Sequence, residues 1–338
     1  GSNRPIHLIA RNVAKQVGIK TISLEEGYIR PGFVSVELGG NNSDSPLAGR
    51  LPPPSFVPDD EPKPSRSYNS FAAMCRAGAV YYSVRTLFSG IAVRELFHRN
   101  FNPMVEPFLW LRNAWRRFSG QARDYHVIEH LLEHYDRGYF LVPLQVASDS
   151  QMGKAARGWN SQRLIAETIA SFAKDCEGPY RLVFKVHPLE RGHANVRNLV
   201  EQTAAVFGVA DRVDLIENGS LGLLARHAAG MVTINSTSGL SAIFHGTPLL
   251  VIGDAIYAHP QLATVARGKP DFAAFWRDRF VADADLRRRY LSWLRQNALV
   301  AGDFYAAAGI EVACKGVVQK VALATAAITE PEIESLVC

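Results

Sequence analysis

The sequence is short of cysteine and has no long apolar run. Its four cysteines, Cys75, Cys176, Cys314 and Cys338, stand far apart and form no CxxC pair. Nothing here indicates structural zinc or a disulfide framework, and the pattern suits reduced thiols in a cytosolic protein. No stretch of about 18 apolar residues occurs, so no membrane-spanning helix is expected. The chain opens on Gly1-Ser2 rather than Met, and no signal-peptide pattern follows. These two residues read as a cloning remnant, and the natural protein is expected to begin earlier. Acidic residues are scarce in one region: between positions 66 and 123 only Glu95 and Glu106 occur.

What is present bounds the answer further. Of 338 residues, 47% are apolar and 20% charged, which suits folded domains, about two of them by length. The formal net charge of +5 favours an anionic partner without choosing between nucleotide, nucleic acid and acidic lipid.

Residues 5–18 have helical spacing and stop at Gly18; 19–24 read as a strand, followed by the polar turn Glu25-Glu26-Gly27. Val34, Val36 and Leu38 alternate as a second strand, and 40–67 are a Gly-, Asn-, Ser- and Pro-rich loop. From Tyr139 onward, apolar runs (YFLVPLQV, YRLVFKV, VDLIE, GMVTI, PLLVIG) alternate with helical segments. Such alternation builds right-handed βαβ units and a parallel sheet, in which ligands bind beyond the carboxyl ends of the strands.

Polar residues stand at each of those ends. Glu25 and Glu26 follow the first strand, Asp149 follows YFLVPLQV, and Lys185, His187 and Pro188 close YRLVFKV. Glu217 and Asn218 close VDLIE; Asn235, Ser236, Thr237, Ser238 and Gly239 follow GMVTI; Asp254 and Tyr257 follow PLLVIG. Each also has a plain structural reading. Asp149 suits a helix N-cap, as do Ser236 and Thr237. Glu25-Glu26 suits a solvated turn, and His187 an ordinary loop imidazole. The chemical reading is that hydroxyls and backbone N–H groups at a helix start hold an anion. Two carboxylates, Glu26 and Asp149, are the minimum for retaining glycosyl transfer.

Residues 68–135 read as helical. Tyr81, Tyr82, Phe88, Phe97, Phe101, Phe108, Trp110, Trp115 and Phe118 stand among Arg76, Arg85, Arg94, Arg99, Arg112, Arg116, Arg117 and Arg123. Three readings are open: solvated helices, a nucleic-acid face, or a membrane-surface platform in which Trp and Arg sit at the headgroup layer. No nucleic-acid-binding motif is visible, and no nucleic-acid partner is expected.

Four stretches taken in order, LEEGYIRPGFVSVELGGNNSDSPL, VPLQVASDSQ, KVHPLERGH and VTINSTSGLSAIFHGTPLLVIGDAIY, resemble the KpsS-type capsule polysaccharide biosynthesis or export proteins. These are retaining β-Kdo glycosyltransferases related to the paired modules of KpsC-type enzymes. The similarity spans roughly residues 3–280.

The resemblance implies an α/β, GT-B-like fold of two Rossmann-like domains with a helical insertion and the active site between the domains, the N-terminal one apparently truncated. The corresponding divisions are 1–65 for a partial acceptor domain, 66–137 for a helical, membrane-facing segment, 138–280 for the CMP-sugar domain, and 281–338 for C-terminal helices that cross back. It also implies CMP-Kdo as donor, a (lyso)phosphatidylglycerol acceptor, no metal or other cofactor, and a cytoplasmic location on the anionic inner-membrane surface with other capsule assembly proteins.

Asp149, four residues after Gln145, matches the family's nucleophile. His187-Pro188 and Ser236-Thr237 match the motifs that hold the CMP phosphate, with Ser150, Lys185, Asn235, Ser238 and Gly239 around them. Glu217 and Asn218 would face the ribose or cytosine, and Arg30 and Asn42 the sugar carboxylate or acceptor. Glu26 is the acid/base candidate, with Glu25 its alternative. Two other readings remain open: a non-catalytic export or assembly subunit that binds acidic lipid or polysaccharide, and a transferase of another CMP-activated acid sugar.

Overall fold

The computed structural model describes residues 2–58, 62–65, 70–88, 102, 104–146, 149–190, 192 and 195–334. The chain divides into two compact units. One comprises Gly1–Leu47, Pro53–Leu96 and Leu291–Cys338; the other comprises Ala48–Pro52 and Phe97–Tyr290. The fold class is α/β, as expected.

In the first unit the described strands run antiparallel. β1 (Ile22–Glu26) pairs with β2 (Phe33–Leu38), Ile22 opposite Leu38, and β2 pairs with β9 (Leu299–Ala301), Phe33 opposite Ala301. Helix α1 (Pro5–Gln16) carries Pro5 at its start, where a missing N–H costs nothing. α2 (Ser70–Phe88) and α10 (Ala307–Glu334) also belong to this unit. Val34, Val36, Val300 and Ala313 form a small core with Val317 against it.

Three expectations change here. Glu25 and Glu26 lie within β1, not in a turn after it. These strands are antiparallel, unlike the parallel sheet of a Rossmann-like half. The stretch 66–137 is not one segment: α2 belongs to the first unit and α3 (Glu106–His134) to the second. Residues 291–338, with β9 and α10, belong to the first unit, and the boundary falls inside α9 (Ala284–Ala298).

The second unit follows from its apolar runs. β3 (Tyr139–Pro143), β6 (Gly230–Thr233) and β7 (Leu249–Val251) are buried throughout, and β4 (Arg181–Lys185) at all but its first residue. Strands of that kind need helices on both faces. With β5 (Val213–Ile216) and β8 (Thr264–Val265) they form a six-stranded parallel sheet, ordered β5-β4-β3-β6-β7-β8.

The connecting helices are α4 (Ser161–Asp175), α5 (Val196–Val206), α6 (Leu221–His227), α7 (Gly239–His245) and α8 (Phe272–Asp278). Asn160 caps α4, its side chain accepting from Arg163 N–H at 2.8 Å. The helix then turns Leu164, Ile165, Ile169 and Phe172 into a core shared with Phe140, Phe184 and Trp276. Phe140 and Trp276 meet edge to face at 4.7 Å between ring centres. Each such side chain contributes about 1.5–3 kcal/mol by leaving water.

Counted from β3, the strand order is 3-2-1-4-5-6. This is the doubly wound, Rossmann-like order that a GT-B-like architecture requires, with its switch point between β3 and β6.

Helix α3 closes the β5 edge. Asp124 of α3 is fully buried. Its Oδ2 accepts from the N–H of Glu217 at 3.1 Å, the N–H of Asn218 at 2.8 Å and the Asn218 side-chain amide at 2.8 Å. The next residue, Gly219, has φ of +91°, and a Cβ there would lie 2.4 Å from Ile128 Cδ1. Only glycine fits that close approach.

Replacing Asp124 strands three buried donors. Asp124→Ala is therefore expected to lower stability by about 2–4 kcal/mol, read as an earlier urea midpoint. An unchanged midpoint would show that the loop after β5 holds without this carboxylate.

Candidate active site

The carboxyl ends of β3 and β6 are joined by side chains. Gln145 Nε2 donates to Asn235 Oδ1 at 2.9 Å, and Asn235 N–H donates to Gln145 Oε1 at 3.3 Å. Asn235 Nδ2 reaches on to the Gln151 carbonyl at 2.8 Å. Gln145 and Asn235 are both buried. The turn that carries Asp149 is thus tied to the end of β6.

Asp149 occupies the N-cap of a short 3₁₀ turn, Ser150–Met152, and its Oδ1 accepts from Gln151 N–H at 2.9 Å. The capping reading therefore describes what this partly exposed carboxylate does in the structure. Ser150 opens the turn.

The loop after β6 differs from the expected N-cap by Ser236 or Thr237. α7 starts at Gly239, Ser238 holds the cap position, and Ser238 makes no side-chain cap bond. Ser236 Oγ instead accepts from the Ser238 N–H at 3.2 Å and from its hydroxyl at 2.9 Å. The Thr237 carbonyl accepts from Leu240 N–H at 3.1 Å. Tyr257 donates its hydroxyl to the Ser236 carbonyl, and a Cβ on Gly239 would stand 2.2 Å from Tyr257 Oη. Burial pushes the Tyr257 phenol far above its ordinary range, so it stays a neutral donor. Asp254 pairs with Arg157.

At the neighbouring strand ends, buried Lys185 donates to the carbonyls of Val186 and Glu217, each at 3.2 Å, and so staples β4 to β5. His187 Nδ1 accepts from Leu189 N–H at 3.2 Å, which leaves the neutral ring's proton on Nε2. The Pro188 carbonyl accepts from Asn113 of α3 at 3.0 Å. The Glu217 carboxylate faces arginines: Arg123 and Arg197 each stand 3.9 Å away.

In the first unit, Glu26 pairs with Arg30 at 2.7 Å, so the arginine expected to face a sugar carboxylate already holds one. Tyr305 also donates to Glu26, and its phenol is pushed up to about 12, first by burial and then by that carboxylate. Glu25 accepts from Asn42 Nδ2 at 3.2 Å. Asn42 is buried with φ of +54° and donates its N–H to Tyr28 Oη at 2.7 Å.

Behind these residues lies a polar cluster absent from the sequence reading. Glu37 accepts from Tyr28, from Ser45 and from Asn41 Nδ2, the last at 3.3 Å. Burial raises the Glu37 carboxyl against those hydrogen bonds and against Lys320. The available signal was a glutamate inside the apolar strand FVSVEL.

Helix α3 carries an exposed apolar ridge. Met104, just before it, and Phe108, Leu111, Trp115 and Phe118 are each 67–79% exposed, spaced three and four residues apart. Beside the ridge run Arg112, Arg116, Ser119 and Arg123, with no acid between 107 and 123. Arg94, Glu95, Phe97, Arg99 and Phe101 lie outside the described residues.

Among the described residues, no helix is long and apolar enough to cross a membrane, and no group of three His, Cys, Asp or Glu could hold a metal ion. A cavity of about 730 Å³ beside His130, His134, Asp136 and Arg137 opens at the amino ends of β3 and β4. That is the edge away from the switch point.

The family described as "Capsule polysaccharide biosynthesis protein" matches residues 1–305. The chain is 32% identical over 307 residues to the capsule polysaccharide export protein KpsS of Escherichia coli, covering 90% of this chain and 78% of that one. It is 27% identical over 319 residues to the capsule polysaccharide modification protein LipB of Neisseria meningitidis serogroup A, covering 90% and 73%. Among solved structures, it is similar to the Thermosulfurimonas dismutans KpsC β-Kdo 2,7 transferase, with a TM-score of 0.37 at 17% identity over 87% of this chain and 74% of that one. It is also similar to the glycosyltransferase SnogD of Streptomyces nogalater, with a TM-score of 0.28 at 18% identity over 50% and 42%.

Lys320 gives the first-unit cluster a pH signature. Burial pushes its ammonium down to about 8 from the ordinary 10.5, with Glu37 pulling the other way. Below pH 8 both folded and unfolded chains hold this proton, and the folded state bears the full desolvation cost. Between about 8 and 10.5 the unfolded chain holds a proton that the folded one has released, so this group's contribution to stability rises with pH. Lys320→Met is expected to flatten that rise in urea-unfolding measurements and to add on the order of 1–3 kcal/mol at pH 7. An equally steep rise in the variant would contradict the assignment.

Proposed function

This chain belongs to the capsule polysaccharide biosynthesis protein family, and from that premise we propose that it is a glycosyltransferase. In this reading it moves Kdo from CMP-Kdo to a (lyso)phosphatidylglycerol acceptor with retention, starting the poly-Kdo linker of a capsule. The observation that carries the reading is the Gln145–Asn235 clamp at the switch point, which brings the Asp149 turn beside the serine-rich loop after β6. A doubly wound sheet receives its ligand at that edge.

Kdo bears a carboxylate on its anomeric carbon, so displacement there passes through an oxocarbenium-like transition state and needs a stabilised leaving group. Asp149 attacks the anomeric carbon as CMP departs, forming a glycosyl ester. The departing phosphate is met by hydrogen-bond donors of the loop 235–239 and by the Nε2 proton of His187. The acceptor hydroxyl then gives its proton to a general base and displaces Asp149, and the two inversions leave the configuration retained. The chemistry calls on no metal. The protein works at the cytoplasmic face of the inner membrane, where the lipid acceptor and the other capsule assembly proteins are found.

A second reading is favoured by the Asp149 cap: a carboxylate bound to Gln151 N–H shapes its turn whether or not it reacts. A non-catalytic assembly subunit would need it only for that. The two separate on incubation with CMP-Kdo and a fluorescent lyso-phosphatidylglycerol. Wild type is expected to form product, and Asp149→Ala to lose on the order of 10³-fold or more in rate while keeping its fold. Wild-type turnover by Asp149→Ala would remove the nucleophile. An inactive wild type would favour the assembly role.

A further inference from the structure

We infer that the crevice between α3 and α5, bordered by Glu217 at the end of β5, is an anion site for the headgroup phosphodiester of an acidic phospholipid, distinct from the Asp149 turn and the loop 235–239. Arg116 and Arg123 of α3 and Arg197 of α5 line a cavity of about 180 Å³ with Glu217 in its wall. The Glu217 side chain is only 5% exposed. Arg123 and Arg197 each stand 3.9 Å from it, close enough for charge pairing but too far for a hydrogen bond. Arg197 Nη2 is buried and has no hydrogen-bond acceptor among the described residues. Buried donors of this kind are normally satisfied, and an incoming oxyanion would satisfy this one. Arg197 Nη1 lies 3.6 Å from Glu201, Arg123 Nη2 lies 3.4 Å from Asp124 Oδ1, and Arg116 lies 3.5 Å from Asn195 Oδ1.

The helix gives up stability to keep this space open. Gly120 sits in the middle of α3, where glycine is less favourable than alanine. A Cβ there would lie 2.9 Å from Arg123 Nη2 and 3.6 Å from Glu217 Oε2, inside the crevice. Three planar guanidiniums suit the paired oxygens of a phosphate better than a point charge. The volume is below the roughly 300–1,000 Å³ of sites for drug-sized ligands, so it fits one headgroup rather than a nucleotide sugar.

The apolar ridge of α3 argues that the phosphate arrives with acyl chains. At 100° per residue, the ridge through Trp115 and Phe118 adjoins the row of Arg116, Ser119 and Arg123. A helix lying in the membrane interface puts such a ridge at the acyl boundary and such a row among the headgroups. The inference deepens the lipid-acceptor reading and rests on it for the choice of lipid.

The test reads binding with no donor present, so transfer and pocket can fail separately. Wild type is expected to bind phosphatidylglycerol vesicles over phosphatidylcholine vesicles, and soluble glycerol 3-phosphate is expected to compete. Arg123→Gln/Arg197→Gln should weaken both probes tenfold or more, and Glu217→Gln should tighten both. Trp115→Ser/Phe118→Ser should lose vesicles but keep glycerol 3-phosphate. Circular dichroism checks that each variant is folded. Folded pocket variants that bind like wild type would overturn the proposal. So would Arg117→Gln, outside the pocket, weakening binding as much as the pocket pair, because diffuse charge would then suffice. Displacement of glycerol 3-phosphate by CMP would assign the crevice to the donor and overturn the lipid assignment.

Discussion

The second unit depends on two amides. At a switch point the connections from adjacent strands leave in opposite directions, so the backbone beyond β3 and β6 cannot continue the ladder. Gln145 and Asn235 replace those lost bonds with a reciprocal side-chain pair, and Asn235 extends it to the Gln151 carbonyl. Both residues are buried, where an unpaired amide would cost about 1–3 kcal/mol. Either amide alone would be a liability; together they fix the separation of two loops. The turn at Asp149 and the loop from Ser236 to Gly239 inherit that spacing, and Tyr257 holds the second loop from the far side.

The same logic governs the other strand ends. Lys185 is buried because two carbonyls, those of Val186 and Glu217, take its protons. Asp124 is buried because three donors beyond β5 converge on it. Glu37 is buried because Tyr28, Asn41 and Ser45 supply its hydrogen bonds. In each case a charged group closes a loop that the sheet leaves open. Polar residues after strands are therefore structural by default, and those with chemistry to spare are found by what their hydrogen bonds leave over. The Glu217 crevice departs from this pattern, since Arg123 and Arg197 each stand 3.9 Å from its carboxylate and Arg197 Nη2 has no hydrogen-bond acceptor among the described residues.

Much of the second unit was legible because continuous apolar runs and alternating helices admit few alternatives. All five strands foreseen there occur, and only the two-residue β8 was missed, being too short to show a period. Gln145, Asp149 and Asn235 were identifiable as strand-end residues, but the bond between Gln145 and Asn235 joins positions 90 residues apart and has no local signature. Asn235, standing beside the serines, reads from sequence as an anion ligand rather than as a clamp. The cap of α7 falls at Ser238 rather than at Ser236 or Thr237, because Ser236 bonds within its own turn instead of capping a helix. In the first unit, Glu25 and Glu26 resembled a turn, yet β1 continues through them because β2 offers partners as far as Val34. Arg30, expected to face a sugar carboxylate, pairs with Glu26 across the turn between β1 and β2, a contact that i,i+4 spacing does not suggest because the segment is not helical.

The central claim is that a carboxylate at the end of β3 takes the sugar. Peptide mapping by mass spectrometry, on protein quenched during turnover of CMP-Kdo, tests it most directly. The expected result is one Kdo in ester linkage on the peptide containing Asp149. Kdo on another side chain, or unmodified Asp149 peptide in a protein that is turning over, would contradict it.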